Sequence, residues 1–516
     1  MLAITKSVAL QGLNGYMVSI QVDISSGIPQ FEIVGLPDAS VKESKERVKT
    51  AIRNCQWEFL SRKIVVNLAP ADIRKEGSAF DLPIAIGILV ASQGEKNDVV
   101  QNFLDNTVIV GELSLNGKVE KVKGILPICL EAQKLGYHKI ILPKENANEV
   151  SMINGIDIFP VSHLGEVMEH LNGEGVLKKL QVREVDTKNT GVYPFDFSEV
   201  KGQENAKRAL EIVAAGGHNC LLIGSPGSGK TMLAKRLPSI LPDMSWEEMM
   251  EVTKIYSIEG YTSKNKPIIK TRPFRSPHHT ITATSLIGGG RNPRPGEISL
   301  AHYGVLFLDE LPEFPQNVLE MLREPLEDKV VTISRLNAST DYPCHFILIA
   351  SMNPCPCGYY GSRNRQCNCR PEQIKKYLNR ISGPLLDRMD LYVEADHVEY
   401  NKLDSKEVLE TSAQIRKRVN QARKLQRERY QRDGIFTNAE LTPKLLEKFC
   451  QLDKKSKKIL ETAFQKLGLS ARAYERILKV ARTIADLEGR ESIQEMHIAE
   501  AIQYRSLDRK YWKEES

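Results

Sequence analysis

Gly224-Ser225-Pro226-Gly227-Ser228-Gly229-Lys230-Thr231 follows the apolar run Cys220-Leu221-Leu222-Ile223 and precedes Met232-Leu233-Ala234-Lys235-Arg236-Leu237, which reads as a helix. Strand, glycine-rich turn and helix, in that order, form the setting in which G-x-x-x-x-G-K-[ST] holds phosphate. The glycines let backbone N–H groups turn inward around an anion, and the helix N-terminus adds partial positive charge. On this reading Gly224, Ser225, Pro226, Gly227, Ser228, Gly229, Lys230 and Thr231 cradle ATP. Lys230 reaches the β- and γ-phosphates, and Thr231 puts its hydroxyl on Mg²⁺.

Working outward, Gly304-Val305-Leu306-Phe307-Leu308-Asp309-Glu310 is an apolar strand ending in two carboxylates. Asp309 is placed to hold Mg²⁺, and Glu310 to polarise the attacking water. A third strand, Phe346-Ile347-Leu348-Ile349-Ala350, runs into Ser351-Met352-Asn353. The Asn353 amide can hold that same water. Arg388 stands in Gly383-Pro384-Leu385-Leu386-Asp387-Arg388-Met389-Asp390, and Arg472 in Leu469-Ser470-Ala471-Arg472-Ala473-Tyr474-Glu475-Arg476. Taken alone, each arginine equally fits a surface ion pair.

A chain of 516 residues is long for one core, and about three domains are expected. Its 41% hydrophobic and 26% charged content is that of a soluble globular protein. The net charge of +6 permits a polyanion partner without arguing for one. Met1-Leu2-Ala3-Ile4-Thr5-Lys6 lacks the apolar core of a secretory signal, and the longest apolar segment, residues 82–91, is too short to span a bilayer. A cytoplasmic location without membrane contact is expected, where nine cysteines would not form a disulfide framework.

The first 170 residues read as strands at 16–22, 31–35, 64–68, 107–110 and 139–142, with helices at 38–54 and 81–91. Asp38 or Ser40 is placed to cap the first helix. This order, with Arg74-Lys75-Glu76-Gly77-Ser78-Ala79 and later Gly111-Glu112-Leu113-Ser114-Leu115-Asn116-Gly117-Lys118-Val119, resembles the proteolytic domain of Lon-type proteases. Those enzymes use a Ser–Lys dyad. Laid on that pattern, this sequence has Ala79 at the serine position and Leu126 at the lysine position, so a Lon-like fold without peptidase activity is expected.

Phosphate loop, Asp-Glu strand, strand-end Asn353, the L-L-D-R-x-D segment and the S-A-R-x-x-x-R helix, in this order, resemble an AAA+ ATPase. Arg272-Pro273-Phe274-Arg275-Ser276-Pro277-His278-His279 and Pro295-Gly296-Glu297-Ile298-Ser299-Leu300-Ala301-His302 are similar to the magnesium chelatase-like YifB/ComM family, as is the Lon-like segment. The resemblance implies an α/β protein: a Lon-protease-like α+β domain at 1–172, a linker at 173–196, a P-loop AAA+ core at 197–399 and a helical lid at 400–516. By the same analogy Arg388 is an arginine finger serving the neighbouring subunit, with Arg380 a second candidate, and Arg472 is a lid-borne sensor of the γ-phosphate. A finger acting in trans requires a homo-oligomer, by family resemblance a hexamer.

Residues 253–302 and a hairpin around 330–347 exceed a minimal core. In related rings such insertions grip a translocated polymer, and Arg275, Arg291, Arg294 and Arg335 would suit DNA phosphates; ring contacts or simple packing are the alternatives. His278 and His279, being adjacent, suit a structural or phosphate role better than metal ligation. Cys355-Pro356-Cys357 and Cys367-Asn368-Cys369 offer four thiolates for a tetrahedral Zn²⁺ site, with packed or redox-active thiols as the alternative. Helices are expected at 406–432, 442–452, 454–467, 471–488 and 493–505. The basic run 416–432 fits a polyanion-facing stripe or a solvated face. The family suggests translocation on DNA or its remodelling, with branch migration of incoming DNA as the specific case. A chelatase-type motor driving a protein partner, an ATP-dependent peptidase and a non-hydrolysing assembly scaffold are the rivals, the last opposed by intact Lys230 and Asp309-Glu310.

Overall fold

A computed structural model describes residues 2–94, 97–183, 193–263, 265–290, 293–335, 338–362, 365–395 and 409–512. The chain forms two units, Met1–Lys188 with Met249–Ile269, and Asn189–Glu248 with Lys270–Ser516. Residues 184–192 of the expected linker lie outside the described residues.

The first unit is built on a seven-stranded mixed sheet. Its strands are β1 (Leu2–Gln11), β2 (Asn14–Ser25), β3 (Gln30–Val34), β4 (Lys63–Ala69), β5 (Thr107–Ile109), β6 (Lys139–Pro143) and β7 (Asp157–Val161), in the spatial order β3-β4-β2-β1-β5-β6-β7. β1 and β2 form an antiparallel hairpin from Leu2↔Asp23 to Gln11↔Asn14. Strand β1 escapes a reading by hydrophobic alternation because its inward positions include Ala3, Thr5 and Ser7, small residues without a strong apolar signal. The helix Ala39–Asn54 starts where expected: Asp38 accepts from the Val41 N–H at 2.8 Å, so Asp38 and not Ser40 is the cap. The helix Asp81–Ser92 is buried almost throughout, and its Asp81 carboxylate is paired with Arg47 at 2.7 Å.

Met249–Ile269 belongs to this first unit although it lies between the phosphate loop and Asp309-Glu310 in sequence. Ser257 donates through its hydroxyl to the Glu149 carboxylate and accepts through its carbonyl from Gly124 N–H at 3.0 Å, while Lys121 Nζ donates to Thr262 O at 3.0 Å. The expectation of a polymer-gripping insertion at 253–302 is therefore corrected over 253–269. Those residues pack on the first unit through contacts more than a hundred positions away in sequence, which no local pattern reveals.

The second unit carries a five-stranded sheet of β8 (Cys220–Ile223), β9 (Phe274–Arg275), β10 (Val305–Leu308), β11 (Ile347–Met352) and β12 (Leu391–Glu394), in the order β9-β10-β11-β8-β12. Every pairing is parallel. The central strands are fully buried apolar runs, as strands covered on both faces must be. Helices follow at Ser412–Tyr430, Pro443–Phe449, Lys454–Leu467, Ala471–Leu487 and Glu495–Gln503. Ile477, Val480, Ala481 and Ile484 of the fourth share one apolar cluster with the helix Glu204–Gly216 and strands β8 and β10.

Candidate functional site

Strands β8, β11 and β10 lie side by side, with Ile223 opposite Met352 and Leu308 opposite Ala350. Their carboxyl ends therefore finish together, the place where open parallel sheets bind ligands. The loop after β8 turns through left-handed backbone at Gly227 (φ +75°) and Gly229 (φ +87°) into the helix Lys230–Arg236. A Cβ on Gly224 would stand 2.4 Å from the Ala395 carbonyl oxygen, whereas one on Gly227 would meet nothing within 4 Å. The loop is thus closed against the protein at its start and open at its crest.

Lys230 lies in that loop with its side chain folded back. Its Nζ donates to Gly224 O at 2.7 Å, Ser225 O at 3.0 Å and Asn353 Oδ1 at 3.2 Å. Burial pushes its pKa below the ordinary lysine value, with Asp309 and Glu310 acting against that shift. Thr231 Oγ1 donates to Asp309 Oδ2 at 2.7 Å. Ser351, on the strand between, donates its hydroxyl to Asp309 Oδ1. Glu310 has left-handed backbone (φ 55°), which a non-glycine residue adopts at a cost of order 1–3 kcal/mol, and its carboxylate is largely exposed. His279 Nδ1 lies 3.9 Å from Glu310 Oε2, and its ring packs on His278.

The donor set suits Mg²⁺ and a triphosphate. A hydroxyl and a carboxylate stand together, an ammonium is held by carbonyl and amide oxygens, and Ser228 Oγ is buried with no hydrogen-bond partner among the described residues. Two contributors went unread in the sequence. Ser351 lies in an apolar strand two residues before Asn353, where the sequence reading gave it no role of its own. Gln203, in left-handed backbone (φ 62°), donates through Nε2 to Ser228 O at 2.9 Å and so supports the loop from behind.

The three candidate arginines sit elsewhere in this unit. Arg388 donates to Arg323 O at 3.2 Å, Pro384 O at 2.6 Å and Glu327 Oε1 at 2.5 Å. Arg472 pairs with Asp387 at 2.8 Å, and Arg380 with Glu313 at 2.9 Å. Arg476, one turn beyond Arg472, pairs with the buried Asp390. The segment 387–390 is thus tied twice to the helix Ala471–Leu487.

Among the residues suited to phosphate, Arg275 forms a bidentate pair with Glu297 at 2.6 and 2.7 Å. Its guanidinium is engaged and half-buried, which matches the packing alternative for this residue. Arg294 is exposed, Arg291 lies outside the described residues, and Arg335 ends a hairpin strand, Val330–Arg335, paired with Ala338–Pro343. In the helix Ser412–Tyr430, Arg418 pairs with Glu211 and Glu410, Arg429 with Asp486, and Arg423 donates to Ala214 O. Much of that basic run therefore secures the helix internally, which neither reading of it anticipated. The sulfurs of Cys355, Cys357, Cys367 and Cys369 all lie within 4.8 Å of one another. In the first unit Ala79 offers only its backbone, accepting from Gly111 N–H at 2.9 Å, and Leu126 is fully buried. Ser78 donates its hydroxyl to Glu112.

A glycine loop, a strand-borne carboxylate pair and a polar strand end, on a parallel sheet of this order, define a P-loop nucleotide-binding unit. Comparison with known proteins narrows the class. Residues 196–403 match the family model described as magnesium chelatase, subunit ChlI; residues 20–146 match subunit ChlI of Mg-chelatase; residues 409–505 match the C-terminal part of subunit ChlI. The chain is 46% identical to the competence protein ComM of Haemophilus influenzae and 45% identical to YifB of Escherichia coli, in both cases over 98% of each chain. Lon protease 2 of Bacillus subtilis is 29% identical over 33% of this chain and 32% of its own. The chain belongs to the YifB/ComM family of magnesium chelatase-like AAA+ proteins, and that membership implies binding and hydrolysis of ATP with Mg²⁺. No described helix is long and apolar enough to cross a membrane.

Proposed function

We propose that this protein hydrolyses ATP in a homo-oligomeric ring, a hexamer, and uses the energy to translocate on or remodel DNA, as in branch migration during recombination of incoming DNA. The observation that carries the hydrolytic half is the convergence of Lys230, Thr231, Asp309, Ser351 and Asn353 at three adjacent strand ends. Lys230 binds the phosphates, exchanging its carbonyl partners for phosphate oxygens. Thr231 and Asp309 would hold Mg²⁺, which supplies charge neutralisation at the β- and γ-phosphate oxygens. Glu310 accepts the proton of the attacking water, and Asn353 orients that water. Arg388 from a neighbouring copy stabilises charge on the transferring group, leaving its own Glu327 to do so, and Arg472 releases Asp387 to do the same from the lid. A trans finger is worth roughly 10³–10⁵ in rate.

The DNA half is supported by whole-length similarity to a relative named for competence, and by the exposed Arg294. Steady-state hydrolysis with and without single-stranded and forked DNA tests it. Stimulation by DNA, lost in Glu310→Gln and Arg388→Ala, is expected. Hydrolysis that those variants abolish but DNA does not change would favour the second reading, a chelatase-type motor acting on a protein partner, which the chelatase family models support. Peptidase activity is disfavoured by Ala79 and the buried Leu126.

A further inference from the structure

We propose that Cys355, Cys357, Cys367 and Cys369 bind one Zn²⁺ per chain, and that this metal holds the backbone after Asn353 against the phosphate loop, coupling zinc occupancy to nucleotide affinity. The second half rests on the ATP-site reading above; the first does not.

A tetrahedral zinc thiolate with bonds of about 2.3 Å has sulfurs about 3.8 Å apart along each edge. Here Cys355 and Cys357 are separated by 3.4 Å, Cys355 and Cys367 by 3.7 Å, and Cys357 and Cys367 by 3.6 Å. No pair is at bonding distance, and all four cysteines are free. Two backbone amides already point at sulfur: Tyr360 N–H donates to Cys355 Sγ at 3.3 Å and Cys369 N–H to Cys367 Sγ at 3.4 Å. Amide donors of this kind stabilise thiolate charge and orient ligands as an outer shell does. Four sulfurs brought together from two C-x-C pairs, with amides turned toward them, make a donor set complete for Zn²⁺ and closed to substrate, hence structural rather than catalytic.

The coupling follows from what the cysteines are attached to. Cys355 lies two residues after Asn353, whose side chain accepts from Lys230. Gly358, in left-handed backbone (φ +85°), lies flush on Pro226 of the phosphate loop: a Cβ there would fall 2.4 Å from Pro226 Cδ. On the far side, Cys369 lies two residues before the start of the helix Pro371–Leu378. A metal joining the two pairs fixes the backbone that follows Asn353 and the Gly358–Pro226 contact together. Coupling of this type commonly changes affinity by about 5- to 150-fold, and by linkage bound nucleotide tightens zinc by the same factor.

The test uses the full-length protein. Metal analysis of protein prepared without added zinc is expected to give one Zn²⁺ per chain, and Co²⁺ exchange the intense ligand-field absorption of a tetrahedral thiolate site. Stoichiometric zinc that persists in Cys357→Ser and Cys367→Ser together, or no zinc and no Co²⁺ spectrum in wild type, overturns the site. Removing zinc with a chelator is expected to weaken binding of a fluorescent ATP analogue roughly tenfold, restored by Zn²⁺, and saturating ATP to slow zinc loss. Gly358→Ala is expected to keep its zinc yet lose nucleotide affinity. Unchanged affinity on zinc removal overturns the coupling and leaves the metal site standing. Zinc-loaded protein that binds no nucleotide, with Lys230→Ala indistinguishable from wild type, overturns the ATP-site reading and the coupling with it.

Discussion

Thr231 Oγ1 and Asp309 Oδ2 meet at 2.7 Å across strand β11, joining the first turn after the phosphate loop to the end of β10. The strand between them contributes Ser351, whose hydroxyl takes the other Asp309 oxygen. The carboxylate is therefore held from both sides before any metal arrives. Ser351→Ala frees one oxygen and is expected to lower Mg²⁺ affinity and turnover by about 10- to 100-fold, the usual loss when an outer-shell partner of a metal ligand is removed. Thr231→Val removes the hydroxyl proposed to bind Mg²⁺ directly and should cost more. Titrating hydrolysis with Mg²⁺ at saturating ATP checks both; a Ser351→Ala variant with wild-type Mg²⁺ dependence would refute the assignment.

Glu310 and Arg388 are predicted to serve different copies. Glu310→Gln retains a finger but has no base, and Arg388→Ala retains a base but offers no finger. Each alone should be inactive, since loss of a general base costs about 10²–10⁴ and loss of a trans finger roughly 10³–10⁵. Mixing the two inactive proteins should restore hydrolysis at sites where an Arg388→Ala copy faces a Glu310→Gln neighbour. Absence of recovery after verified co-assembly would mean that Arg388 does not act in trans.

Asp390 is a buried ionic centre. It accepts from Arg476 and from Asn219 N–H at 3.0 Å, and His218 Nδ1 lies 3.3 Å away. Burial alone would raise its pKa, but the Arg476 guanidinium and His218 outweigh that and hold the carboxyl well below the usual carboxylate range. A depressed carboxyl contributes stability above the unfolded-state pKa, near 4, and loses it as pH falls further. Asp390→Asn is expected to cost about 3–5 kcal/mol at neutral pH by leaving Arg476 unpaired. The gap from wild type should stay constant above about pH 5 and narrow below about pH 4. Urea denaturation midpoints over a pH series measure it.

Arg294 and Arg275 should separate DNA contact from internal support. Arg294→Ala is expected to weaken DNA binding evenly across sequences and reduce the salt dependence of log affinity by about one. Arg275→Ala leaves the half-buried Glu297 without its bidentate partner and is expected to lower stability by about 1–3 kcal/mol. Equilibrium DNA binding at several salt concentrations, beside thermal melts, distinguishes them.

The nucleotide loop, Asp309-Glu310 and Asn353 could be read because each sits in a short local pattern, a strand running into a specialised turn. The four cysteines could be read because they are close in sequence. Ser351 could not, since a serine in a buried strand carries no signal until its neighbour across the sheet is known. Arg275 shows the other limit. Its charge left polymer contact and packing both open, because its partner Glu297 stands 22 residues away, beyond any periodic pattern. The arginines of Ser412–Tyr430 stayed open in the same way, for their carboxylates are supplied by Glu211 and Asp486 on other helices. Local geometry was legible, and long-range charge pairing was not.

The return of Met249–Ile269 to the first unit bears on how the protein can be made and taken apart. During synthesis the first unit cannot finish until residue 269 has emerged, by which time the phosphate loop has already left the ribosome. The two units must mature as interleaved segments and not as successive beads. A fragment ending near residue 188 would lack the partners of Glu149 and Gly124, and a fragment beginning there would carry Ser257 without them. Excising 249–269 alone would damage the unit that precedes it. Dissection of this chain at a single cut therefore yields two incomplete pieces, and either unit studied separately needs the 249–269 segment grafted to the first and bridged in the second.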